Sequence, residues 1–146
     1  MRYSSIEQEL CTKGRLTYTS KGVSMWPLIR QGKDLVVIEP QKSRLKKYDV
    51  ALYKMKSDSH RYILHRVIAV MGNRYIIRGD NCIRKEYGIT DEMIVGVMTG
   101  LFRDGKKVAL NSFRYRAYVR IWSALFPLRY VVHMVRDVAA KILRFL

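Results

Sequence analysis

Two short stretches carry side chains that could serve as a nucleophile and its base. In Gly22-Val23-Ser24-Met25-Trp26-Pro27 a serine stands between a glycine and a Met-Trp-Pro step. A serine hydroxyl becomes a useful nucleophile when a base takes its proton. Held out on a turn, with backbone N–H groups beside it, it also has donors for an oxyanion. Gly22 frees the backbone for a sharp turn and Pro27 stiffens the exit. Gly22, Met25 and Pro27 are therefore read as the turn and oxyanion residues. Taken alone, the step is more simply a Gly-Ser turn. The second stretch, Tyr62-Ile63-Leu64-His65-Arg66-Val67-Ile68, sets a histidine in an apolar run. On an alternating strand His65 shares a face with Ile63 and Val67, while Leu64 and Arg66 point the other way. Histidine titrates near neutrality, so it can act as a base there. By itself it would read as a half-buried histidine bonded to a carbonyl. His60, in the polar 56–59 turn, and His133, on a charged helix face, have no such setting.

An acid would complete the set. Asp80, in Arg78-Gly79-Asp80-Asn81, is a carboxylate that could hold an imidazole tautomer. Gly-Asp-Asn also suits an ordinary Asx turn. Asp91 is the alternative acid. The two cysteines, Cys11 and Cys82, lie in no CxxC or zinc-ligand spacing, so no metal, no cofactor and no disulfide framework is expected.

These residues need a scaffold. Runs rich in β-branched and aromatic residues occur at 16–19, 34–38, 49–53, 62–70, 74–77 and 93–102, each bounded by Gly, Pro, Asn, Asp or Ser. Met71-Gly72-Asn73 and Asp104-Gly105 read as tight hairpin loops. The expected fold is mainly β, a coiled sheet or partly open barrel. A short helix over 5–13, capped by Ser4 or Ser5 and ended by Gly14, precedes it. A helical tail follows from 113 to 146, broken or kinked near Pro127. In the tail Arg129, His133, Arg136, Asp137, Lys141 and Arg144 share one face. Val131, Val132, Val135, Val138, Ile142, Phe145 and Leu146 share the other. The chain thus divides into an N-terminal helix (1–14), a β catalytic domain (15–111) and a basic amphipathic tail (112–146).

In order along the chain, Ser24-Met25-Trp26-Pro27, Lys47-Tyr48-Asp49-Val50-Ala51-Leu52-Tyr53, His65-Arg66-Val67-Ile68, Gly79-Asp80-Asn81 and Ile94-Val95-Gly96 resemble the boxes of the type I signal peptidase superfamily. That superfamily also holds the self-cleaving SOS-repressor peptidases. The resemblance covers about residues 15–110. A lysine base precedes a similar Arg-Val-Ile in bacterial signal peptidases. His65 stands there in this chain, as in the endoplasmic-reticulum and archaeal branch. The resemblance implies a signal-peptidase fold with Ser24 as nucleophile, His65 as general base and Asp80 as acidic partner. The chain departs from the family at Tyr48, where a glycine usually precedes the aspartate, and at Gly22, where many relatives carry a serine.

The implied function is a serine endopeptidase that cuts an extended peptide or leader at a small-residue site. With 28 Lys+Arg against 12 Asp+Glu, a net charge of +16 favours an anionic partner. The basic tail suits an anionic membrane surface. No nucleic acid is expected, because only 23 residues precede Ser24 and no zinc or RNA-binding motif appears. The alternatives are a catalytically silent membrane-surface adaptor or a nucleic-acid-binding protein on the same fold. The first ten residues lack the apolar core of a secretory signal. No run reaches the ~18 uncharged apolar residues of a spanning helix. A cytoplasmic or peripheral-membrane location is therefore expected.

Overall fold

The structure is a computed structural model that describes residues 6–146. It falls into two compact units, one running to Leu110 and the other from Asn111 to Leu146. The fold of the first is mainly β, as expected. Helix α1 (Ile6–Lys13) ends at Gly14, whose φ of 72° and N–H bond to the Leu10 carbonyl form a left-handed cap. The expected N-caps, Ser4 and Ser5, lie outside the described residues. Leu10 is buried, and Glu7 accepts from the Tyr62 hydroxyl at 2.7 Å and pairs with Lys54.

Eight strands follow: β1 (Leu16–Thr19), β2 (Leu35–Glu39), β3 (Val50–Met55), β4 (Asp58–Met71), β5 (Arg74–Arg78), β6 (Glu86–Thr90), β7 (Ile94–Arg103) and β8 (Lys106–Lys107). Every pairing is antiparallel, and the sheet stays open in the order β1-β2-β7-β3-β4-β5-β6, with β8 on β7. Both expected hairpin loops form. Gly72 closes β4–β5, and Asp104-Gly105 closes β7–β8 with positive φ at both residues, as the mirror-image hairpin turn requires. His60 lies inside β4, not in a turn, because Met55 pairs with Asp58 and leaves a two-residue loop. Strand β6 was not foreseen. A core of Leu45, Ala51, Tyr53, Val67, Tyr75, Ile77, Ile89 and Met93 lines one side of β3, β4 and β5.

The second unit holds α2 (Phe113–Ala124) and α3 (Phe126–Phe145). Ser112 caps α2 by accepting the Tyr115 N–H at 3.1 Å. The break falls at Leu125, and Pro127 sits in the first turn of α3, where no N–H is missed. No α3 residue is buried, and Val131, Val135, Val138 and Ile142 are each more than half exposed. Among the described residues no helix is long and apolar enough to cross a membrane.

Candidate active site

The loop over residues 20–34 carries Ser24, and a buried aspartate anchors it. Asp34 is fully buried and accepts from the Arg30 backbone N–H and guanidinium and from Arg103. Burial alone would raise its pKa, but those bonds win and hold it below the ordinary carboxylate range. Arg103 also donates to the carbonyls of Pro27 and Leu28, so one guanidinium ties the loop to β7. Met25 is buried, and its carbonyl accepts from Ile29 N–H at 2.9 Å. Met25 and Pro27 thus root the turn. Gly22 does not need to be glycine. Its φ is not positive, and a Cβ there would meet nothing within 4 Å.

The glycine this turn depends on is Gly79, where β5 ends. A Cβ at residue 79 would stand 2.6 Å from the Ser24 carbonyl oxygen, 2.7 Å from Cys82 Sγ and 3.0 Å from His65 Cδ2. Ser24 and His65 therefore converge on one small gap that a side chain would fill. Two bonds hold the serine loop there: Asn81 N–H to the Ser24 carbonyl at 2.8 Å, and Asn81 Nδ2 to the Val23 carbonyl at 3.2 Å. Cδ2 is the imidazole atom that borders this gap, and among the described residues no hydrogen bond joins Ser24 to His65.

The other edge of the ring has different neighbours. His65 pairs with Ala51 across β3–β4 and Tyr53 with Ile63, so Tyr53 is the diagonal neighbour of His65 on the same face. Its hydroxyl lies 3.2 Å from Nδ1 and is also bonded to Glu86, whose other oxygen is 3.8 Å from Nδ1. Burial pushes the His65 pKa down to about 4, with the Asp80 charge opposing and Arg61 assisting. The expected pairing of Asp80 with His65 gives way to a different one. Both Asp80 oxygens sit on the Arg66 guanidinium, at 2.7 and 2.8 Å, with each residue buried. Arg66 points to the opposite side of β4 from His65, which draws the carboxylate to that side. Asp80 acts on the imidazole as a nearby charge. The alternative acid, Asp91, accepts from Tyr75 and Gln41 and lies 3.6 Å from Arg44.

Tyr53 and Glu86 were missed by sequence reasoning. Tyr53 stood in a recognised box, and the β3–β4 register would have placed it beside His65. Glu86 follows two basic residues in a polar stretch, and no spacing pointed to it. Cys11 and Cys82 are both free, and the described residues hold no cluster of metal ligands.

A cleft of about 1350 Å³ contains Ser24 and His65, between the end of β1 with residues 20–24 on one side and residues 61–65 with 81–87 on the other. Among the described residues β1 pairs with β2 alone. The pairing of β4 with β5 begins at Arg66, so the preceding residues of β4 pair only with β3. Two unpaired strand edges thus flank the cleft. No family model, no curated protein and no solved structure matches this chain.

Proposed function

We propose that this chain is a serine endopeptidase of the signal-peptidase type, cleaving an extended peptide at a small-residue site. What carries the proposal is the convergence of the Ser24 backbone and the His65 ring on the gap above Gly79, inside a cleft that both residues line. An extended peptide adds to unpaired strand edges by backbone hydrogen bonds. His65 Nε2 takes the Ser24 hydroxyl proton as Oγ attacks the scissile carbonyl. The same proton then goes to the leaving amine, which departs and leaves an acyl-serine. Water repeats the sequence and frees Ser24. Among the described residues the Ser24 N–H has no acceptor, so it is open to the oxyanion.

Ser24→Ala and His65→Ala should each abolish most cleavage, and the double variant should be little worse, because neither group works without the other. Peptides released in cells by the wild type and absent with Ser24→Ala, identified by mass spectrometry, would name the substrate. Near-additive losses, or the same peptides from Ser24→Ala, would remove the proposal.

The place of work follows from the second unit. Helix α3 exposes Val131, Val135, Val138 and Ile142, and carries Arg136, Lys141 and Arg144. That pattern, on a chain of net charge +16, fits an anionic bilayer surface. Each basic residue near such a surface is worth about 1 kcal/mol. Tyr118 and Trp122 on α2 stack at 6.3 Å and suit headgroup depth. Full-length protein should float with anionic vesicles, less at high salt, and Val131→Asp with Val135→Asp should stay below. Failure of the wild type to float would end the membrane proposal.

A further inference from the structure

We infer that Tyr53 and Glu86 form a relay that fixes the tautomer of His65: Nδ1–H donates to the Tyr53 hydroxyl, whose proton goes to the Glu86 carboxylate. A base facing Ser24 must carry its lone pair on Nε2, so its proton must sit on Nδ1. Something has to enforce that choice, because the two neutral tautomers of imidazole differ little in themselves.

Burial raises the Glu86 pKa above its ordinary value; with that carboxylate ionised, the distances leave one arrangement of protons. Tyr53 Oη touches both Nδ1, at 3.2 Å, and a Glu86 oxygen. A phenol has one proton and an ionised carboxylate has none. The Tyr53 proton therefore goes to Glu86, and Tyr53 can only accept from the ring. Nδ1 must then be the protonated nitrogen, and Nε2 is left with the lone pair. When Nε2 takes the serine proton, the resulting cation has the second Glu86 oxygen 3.8 Å from Nδ1.

Both partners are held. Tyr53 is fully buried in the β3 core, so its ring cannot swing away. Glu86 opens β6 and pairs with Ile77 of β5, which points it back across the sheet. Neither need touch substrate; both are positioning residues. The charges that otherwise act on the ring are Asp80, locked on Arg66, and Arg61. Both are felt by the ring as charges.

Resting on His65 as the base, the relay is nonetheless testable without any substrate. In full-length protein labelled with ¹⁵N, long-range imidazole spectra at pH 7 separate a protonated ring nitrogen from a bare one. His65→Gln assigns the signal. The wild type should show Nδ1 protonated and Nε2 bare. Glu86→Ala, at a partly exposed edge position, and Tyr53→Phe should move much of the population to Nε2–H. On a peptide the wild type cleaves, kcat should fall on the order of 10²- to 10⁴-fold, the scale of tautomer errors, with KM little changed. A bare Nδ1 in the wild type, or an unaltered spectrum in Glu86→Ala, overturns the relay. The expected spectra in a protein that cleaves no peptide would keep the relay and remove the peptidase.

Discussion

One methyl group at residue 79 should separate the chemistry from the fold. The alanine Cβ in Gly79→Ala would arrive 2.6 Å from the Ser24 carbonyl oxygen and 3.0 Å from His65 Cδ2. Carbon and oxygen normally keep more than 3 Å apart, so several tenths of an ångström must be found. Cys82 Sγ, at 2.7 Å, can rotate away. The Ser24 carbonyl cannot, because it is backbone and also accepts the Asn81 N–H at 2.8 Å. The serine loop must therefore lift from the histidine. Overpacking of this kind costs about 1–3 kcal/mol of stability. A misplacement of about 1 Å costs on the order of 10²-fold in rate. Gly96→Ala is the control. Its Cβ would meet Ile38 Cγ2 at 2.6 Å and the Glu39 carbonyl at 2.7 Å, a comparable clash among residues that do not line the cleft. Urea melts of both variants, with kcat on an internally quenched peptide corrected for the folded fraction, distinguish the two effects. Gly79→Ala should lose about 10²-fold in kcat beyond its stability loss, and Gly96→Ala almost none. Cys82→Ala added to Gly79→Ala should rescue little, since the backbone contact remains. Equal kcat losses in the two glycine variants would refute the placement of Ser24 against His65.

Four further outcomes follow from the geometry. His65 acts as a base only when neutral, and burial lowers its pKa to about 4 in the fold, so cleavage should stay level from pH 7 down to about 5. An acid limb centred near 6.5 would show that the ring is not buried, with Tyr53, Glu86, Asp80 and Arg61 placed as described. The same depressed pKa gives stability that is present above the unfolded value of about 6.5 and is lost as pH falls towards 4, worth about 3 kcal/mol in urea titrations. Asp80→Asn breaks a buried ion pair with Arg66 and should cost about 3–5 kcal/mol; an unchanged urea midpoint would disprove the clamp. Tyr48 is held at φ 80°, a conformation that strains an aromatic residue by about 1–3 kcal/mol. Tyr48→Gly should therefore raise the urea midpoint, less the ~0.5–1 kcal/mol of added chain entropy, and a lower midpoint would show that no strain is relieved.

What the sequence revealed depended on whether each segment packs on the core. The expected strands at 16–19, 34–38, 49–53, 62–70, 74–77 and 93–102 overlap β1 to β5 and β7, because each is a β-branched or aromatic run bounded by turn formers, even where, as in β3 over Val50–Tyr53, both faces are buried. β6 has Tyr87 and Gly88 exposed and Gly88 at positive φ, so this edge strand carried no such run. Only its pairing with β5 makes it a strand. The same distinction governs the site. Ser24 and His65 were legible because each sits in a box of unusual composition. Assigning an acid needed a side of the sheet, and Asp80 lies two residues beyond the end of β5, where alternation no longer says which side it takes. Arg66 does lie in a strand, and alternation alone sets it opposite His65. A carboxylate bonded through both oxygens to that guanidinium is held on the Arg66 side of the strand. The parity that identifies His65 as inward-facing thus also directs its acidic neighbour elsewhere. The vacancy at Nδ1 falls to the diagonal residue on the same face, Tyr53, and through it to a carboxylate from the strand that periodicity could not reveal.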